Sequence, residues 1–174
     1  ADAFVARLPD LGLLDDPGHA EVLRQTPFVV DQLVSLPFGY SSRIRKHVLR
    51  VARGMVSWVE RHDDDGRLAL TRLRELDDYC YAVAGIVGEM ITELVEFSEP
   101  GLTDPERLAL RTRAVDFGIG LQLVNVSKDS WRDAQEGRTY LPEAFLPTPE
   151  FPERIDAVLL LAASRLDRGI EFTM

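Results

Sequence analysis

Cysteine is nearly absent from this chain: Cys80 stands alone among 174 residues, which excludes an intrachain disulfide and makes a reducing compartment the expectation. No apolar run approaches the roughly 18 residues of a transmembrane helix. The opening residues, ADAFVARLPD, lack a basic segment followed by an apolar core, so they do not read as a signal peptide. Basic residues are also in short supply. Twenty Lys and Arg against 29 Asp and Glu leave a net charge of −9, with no basic run, which argues against a nucleic-acid partner. The three histidines, His19, His47 and His62, show no ligand spacing, and no Ser/His/Asp or Cys/His arrangement can be assembled. Strand alternation, internal repeats and low-complexity tracts are missing too.

What is present is helical periodicity in an ordinary globular composition, 45% hydrophobic and 28% charged. The chain therefore reads as all-α, with residues 1–174 forming a single helical domain. Asp16-Pro17 and Thr26-Pro27 each pair an N-cap residue with proline, which predicts two short helices before Leu36-Pro37. Ser41 or Ser42 then caps a longer helix with Ile44, Val48, Val51, Met55 and Val59 on its apolar side. Residues 62–66, HDDDG, form a polar loop, and Asp63-Asp64-Asp65 reads as a solvated turn. Thr71 opens a helix running to about Phe97, with Leu76, Tyr79, Val83, Ile86, Met90 and Leu94 on one side. Ala84, Gly85 and Gly88 lie on another; glycine in a helix costs about 1 kcal/mol relative to alanine, so close approach of a helix or a bulky ligand is implied. Thr103-Asp-Pro-Glu106 is a capping box opening a helix from Asp104 to about Ala134, which Gly137 ends. A last helix spans about Glu153 to Phe172, with Ile155, Leu159, Ala162 and Leu166 on one face.

The long helix carries the chemistry. Gln122, Asn125, Asp129 and Asp133, at spacings of three, four and four, fall within an arc of about 80°. Leu121, Leu123 and Val124 lie outside that arc and can pack on neighbours. Asp129 and Asp133 project the same way, a separation that suits Mg²⁺ shared with substrate phosphates, and Asn125 can add a carbonyl oxygen. Lys128 and Arg132 flank the pair and Arg138 follows it; cations there can neutralise phosphate oxygens. The plain alternative is a solvated helix face with ordinary salt bridges. Gly118 and Gly120 thin the helix just ahead of Gln122.

Two segments resemble the squalene/phytoene synthase family. Residues 76–94, LDDYCYAVAGIVGEMITEL, are similar to its D/E-Y-C-x-x-V-A-G-x-V-G signature. Residues 121–142, LQLVNVSKDSWRDAQEGRTYLP, are similar to its L-Q-x-x-N-x-x-R-D-x-x-x-D-x-x-x-G-R-x-Y-L-P signature. The resemblance implies an isoprenoid-synthase-like helical bundle with a central cavity. It implies head-to-head (1′–1) coupling of two farnesyl or geranylgeranyl diphosphates to squalene, dehydrosqualene or phytoene, with Mg²⁺-assisted release of diphosphate and with NADPH if the product is squalene. By position, Asn125, Asp129 and Asp133 would hold Mg²⁺, and Tyr79, Asp129 and Asp133 would be catalytic. Gln122, Lys128 and Arg138 would bind substrate, and Val83, Ala84, Val87 and Gly88 would border the prenyl-chain channel. A cytoplasmic location, peripheral to a membrane that takes up the apolar product, is the corresponding expectation.

The chain departs from the family pattern twice. Lys128 stands where the signature has arginine. The family's first aspartate-rich motif, expected on an earlier helix, has no counterpart, since Asp15-Asp16 is followed by Pro-Gly. These residues therefore read as the middle of a longer protein and are expected to show little coupling alone. The competing expectation is a non-catalytic homologue that binds prenyl diphosphate or partners a complete synthase. A plain helical interaction module would leave the polar stripe and the paired glycines without a reason.

Overall fold

In a computed structural model the residues described are 17–62, 68, 70–135, 139–146, 148–149 and 152–170, with the side chain of His19 outside that description. They are all-α: helices α1 (Pro17–Ser35), α2 (Phe38–Val59), α3 (Leu73–Cys80), α4 (Ile86–Ser98), α5 (Asp104–Gln135) and α6 (Asp156–Ile170). One π-helical turn, Tyr81–Gly85, joins α3 to α4, and short 3₁₀ turns occupy Glu143–Phe145 and Pro152–Ile155. Among the described residues the sole β pairing is an isolated bridge between His62 and Leu68. Asp16, Asp63-Asp64-Asp65, Gly137 and Arg138 lie outside the described residues.

The chain falls into two compact units, residues 1–42 and 43–174. In the first, the two expected short helices are one, with Pro27 inside α1. The Thr26 hydroxyl donates back to the Val22 carbonyl (3.1 Å), so it does not cap a new helix forward. Likewise α2 begins at Phe38, because Pro37 supplies the carbonyl that accepts from the Tyr40 and Ser41 amides (2.9 and 3.1 Å). Ser41 and Ser42, expected as caps, point their hydroxyls back at the Phe38 and Gly39 carbonyls.

In the second unit α5 is the axis, packed along α6 and against α4, the π turn and α3. Its start is the expected capping box in modified form: the Thr103 amide and hydroxyl both donate to the Glu106 carboxylate at 2.7 Å. Ile119, Leu123 and Val126 on α5 join Trp58, Leu76, Cys80, Leu141 and Val158 in one apolar core.

Glycines set how closely α5 is approached. A Cβ at Gly88 would lie 2.3 Å from the Ala114 carbonyl oxygen, and one at Gly118 would lie 2.5 Å from that of Ala84. The two helices thus press backbone to backbone at reciprocal points, and the glycine pair is explained by helix contact. On the opposite flank, Gly120 and Gly169 admit Leu166 and Phe117 in the same way.

One apolar face lies elsewhere than the periodicity predicts, and another differs from it in part. On α2 the inward residues are His47 and Trp58, while Val48, Met55 and Val59 are exposed. On α6 and the turn before it, the expected Ile155 and Ala162 pack on the core and Leu166 meets Gly120, while Leu159 is exposed and Val158 and Gly169 are buried as well. In both cases charged partners tie the helix to its neighbours. His47 donates or accepts at Glu93 (2.6 Å), Arg50 binds Glu89, and Arg165 reaches Asp77 and Asp116.

Candidate functional site

The α5 residues 119, 120, 123, 126, 127 and 130 are buried, so the helix has a definite inner face. Ser127 and Ser130 on that face donate to the carbonyls of Leu123 and Ser127 (2.8 Å each), which satisfies their hydroxyls within the helix. The polar stripe takes a different side: Gln122, Asp129 and Asp133 are half-buried, whereas Asn125, Lys128 and Arg132 are exposed.

Beside the stripe lies a groove of about 440 Å³ between the α4 and α5 sides of the unit. Val83, Ala84, Val87 and Gly88, the four expected chain-channel residues, all line it, and Gln122 and Asn125 line it too. Apart from those two amides its walls are apolar, so it offers an open apolar groove with a polar end. The structure thus brings six of the expected residues to one place. Asp129, Asp133, Lys128 and Tyr79 are not among the groove's lining residues.

Tyr79 is organised by two further rings, Tyr140 and Trp58. It stacks on Tyr140 (centroids 5.5 Å apart, planes at 22°) and meets Trp58 edge-on (5.8 Å, 86°). Burial, and then the neighbouring Tyr140, Cys80 and Asp133 groups, push its hydroxyl up to about 12. Tyr79 therefore remains a protonated hydrogen-bond donor, and Asp133 is among the charges it senses. Tyr140 was available in the sequence, since it occupies the tyrosine of the second signature. Burial, and then the Asp77 charge, push the Cys80 thiol up to about 12 against the influence of Arg165, a shift that disfavours the thiolate.

The π turn that follows Tyr79 contains Val83 and Ala84. It inserts a residue into the turn, so the expected Leu76–Tyr79–Val83–Ile86 stripe is split: Leu76 and Ile86 are buried, while Val83 looks into the groove.

Behind the site, Arg165 of α6 forks onto Asp77 (Nε to Oδ1, 3.1 Å) and also binds Asp116 of α5. Arg168 adds a second guanidinium to Asp116 (Nε to Oδ2, 2.8 Å). Asp77 of α3 is thus a partner for α6. Burial alone would raise the Asp116 carboxyl; Arg168 and Arg165 outweigh it and hold the group below the usual carboxylate range. Glu93 follows the same pattern, with burial outweighed by Lys46 and His47, and Glu89 with Arg50 and Tyr81. A carboxyl depressed on folding stabilises the protein above its unfolded pKa, and that contribution disappears as pH falls through the folded value. Stability is therefore expected to be flat from about pH 5 to 8 and to fall below about pH 4. Urea midpoints measured across that range check this, and Asp116→Asn should flatten the acid limb.

Among the described residues no group of three or more His, Cys, Asp or Glu is close enough to hold a metal ion by itself. The stripe nonetheless offers two carboxylates and an amide oxygen, a hard-oxygen set that fits Mg²⁺ when substrate phosphates complete the shell. No described helix is long and apolar enough to cross a membrane.

The described residues thus form an all-α unit with an apolar groove beside a polar stripe. Residues 5–163 match the family model described as Squalene/phytoene synthase, and the chain belongs to that family. It is 40% identical over 79 residues to a 15-cis-phytoene synthase of Enterobacter agglomerans, covering 44% of this chain and 24% of that protein. It is 40% identical over 103 residues to a phytoene synthase of Cereibacter sphaeroides (51% and 27% covered). With a squalene synthase of Mycosarcoma maydis the identity is 32% over 135 residues (74% and 23%). The chain thus spans about a quarter of the length of these relatives.

Proposed function

We propose that this chain supplies the chain-binding groove and one diphosphate-binding stripe of a head-to-head prenyltransferase, acting on farnesyl or geranylgeranyl diphosphate. The observation that carries this reading is the convergence of Val83, Ala84, Val87, Gly88, Gln122 and Asn125 on a single groove. An apolar isoprenoid tail gains about 25 cal/mol for each Å² it buries there, while its charged head remains at the polar mouth.

Asn125, Asp129 and Asp133 would hold Mg²⁺, whose charge, when bound, offsets that of the departing diphosphate. The chain's own residues do the remainder. Gln122 orients the head of the substrate from the groove wall. Lys128 and Arg132 supply counter-charge beside the stripe. Tyr79, protonated and fixed between Trp58 and Tyr140, donates to a diphosphate oxygen and presents an aromatic face to an adjacent carbocation. The apolar groove walls keep water from that cation. Arg138 belongs to the proposal as a further phosphate-binding cation. NADPH enters only if the product is squalene, and contact with a membrane surface would serve release of a hydrocarbon product.

A second reading is favoured by one finding, the lack of a self-sufficient metal-holding group among the described residues. On that reading the protein binds prenyl diphosphate without coupling it. Incubation of the full-length protein with each diphosphate and Mg²⁺, with and without NADPH, separates the two. A 30- or 40-carbon hydrocarbon is expected; tight Mg²⁺-dependent binding with no hydrocarbon would establish the non-catalytic reading instead.

A further inference from the structure

Tyr79 is held from two directions at once. Tyr140 stacks on its ring at 5.5 Å with planes 22° apart, an arrangement that still lets one ring slide across the other. Trp58 meets the same ring at 5.8 Å with planes at 86°, and a perpendicular neighbour blocks that sliding. Filling the core needs only apolar volume, which Leu76 and Leu123 supply in the same cluster; a crossed aromatic contact adds a direction. The position of the Tyr79 hydroxyl, which senses the Asp133 charge at the stripe, therefore follows from where Trp58 stands.

Trp58 is itself fixed. It is buried near the end of α2, and its backbone carbonyl accepts from the Arg61 amide (3.1 Å) and lies 3.1 Å from His62 Nδ1. The Arg61 guanidinium lies over the indole, 4.3 Å from the ring centroid, and donates to Glu75 at 2.7 Å. The other oxygen of Glu75 accepts from the amide and the hydroxyl of Thr71, at 2.8 Å each. Glu75 and Tyr79 are four apart on α3 and so share a face of that helix. The contacts close a circuit: α3 holds Arg61 through Glu75, Arg61 covers Trp58, and Trp58 returns to α3 at Tyr79.

We infer that Trp58 is a positioning residue for the coupling reaction, setting the place and angle from which the Tyr79 hydroxyl reaches the diphosphate. This rests on the prenyl-diphosphate reading above and adds to it a residue outside both the groove and the polar stripe. Trp58 acts through Tyr79, without a substrate contact of its own. Its loss should therefore leave substrate binding nearly as it was while slowing the chemical step.

The test is steady-state coupling by the full-length protein, with Mg²⁺, NADPH and whichever of farnesyl and geranylgeranyl diphosphate the wild type couples. A thermal unfolding scan verifies that each variant is folded. Trp58→Leu should lower kcat by about tenfold or more and leave KM within about threefold, since a misplacement of about 1 Å at a reacting group costs up to about a hundredfold. Trp58→Phe, which keeps an aromatic edge, should recover kcat to within about threefold of wild type. The decisive comparison is made in a Tyr79→Phe background, where the hydroxyl to be positioned is gone. There Trp58→Leu should change kcat by less than about twofold. Arg61→Gln, at an exposed position, repeats the comparison should Trp58→Leu fail to fold. Its expected kcat loss is about threefold and also vanishes in the Tyr79→Phe background. An unchanged kcat in the folded single variants, or the same loss with and without the Tyr79 hydroxyl, overturns the positioning role and leaves the coupling reading intact. A wild-type protein that makes no hydrocarbon overturns both.

Discussion

Gly88→Ala in the full-length protein is expected to lower stability by about 2 kcal/mol, although alanine is the better helix former by about 1 kcal/mol. The added methyl would sit 2.3 Å from the Ala114 carbonyl oxygen and 2.8 Å from its carbon. Those are backbone atoms of the long central helix, so no side-chain rotation can relieve the contact. The helices must separate instead, and the apolar core loses packing. Gly118→Ala meets the Ala84 carbonyl in the same interface and should behave alike. Because the two sites are reciprocal, the double variant should cost less than the sum of the singles once the helices have already parted. Gly101→Ala is the control, since a Cβ there meets nothing within 4 Å. Urea and thermal midpoints check the set. A stabilised Gly88→Ala protein would show that helix propensity prevails and that the close crossing is misplaced.

Asp129→Asn and Asp133→Asn are expected to lower coupling activity of the full-length protein by about a hundredfold or more each, the scale of losing one charge-stabilising group. Both side chains are half-buried at the stripe and outside the apolar core, so folding stability should change by no more than about 0.5 kcal/mol. Raised Mg²⁺ should restore part of the activity if the carboxylates act through the metal. Activity of both variants within twofold of wild type would remove the stripe from the mechanism. Asp133 should have a second effect, because its charge is one of the influences that raise the Tyr79 hydroxyl. The Asp133→Asn variant should therefore lower the Tyr79 pKa, seen by ultraviolet titration.

Much of this site was legible in sequence because it is local. Helical spacing alone gathers Gln122, Asn125, Asp129 and Asp133, and the Thr103–Glu106 box marks where their helix begins. The glycines announced a close approach, though not its partner. What escaped is long-range or breaks the helical period. Arg165 pairs with Asp77 across 88 positions, a link no window of periodicity contains. That pair and the Asp116 contacts tie α6 to α3 and α5 through charged groups that its apolar stripe does not announce. The π turn, Tyr81–Gly85, widens the helical period through Val83, a shift that a fixed 3.6-residue repeat cannot register. Thr26-Pro27 and the Ser41–Ser42 pair failed as start signals for a common reason: the Thr26, Ser41 and Ser42 hydroxyls donate backward to carbonyls. The charged inner side of α2, with His47 buried against Glu93, was hidden by the valines on its other side.

The claim that the α4–α5 groove receives the prenyl chain is tested most directly by photo-cross-linking the full-length protein with a farnesyl diphosphate analogue bearing a photoreactive group at its tail. Peptide mapping should place the label within residues 83–91 and 114–121, dependent on Mg²⁺ and competed by unlabelled farnesyl diphosphate. Competed label confined to other segments would contradict the account.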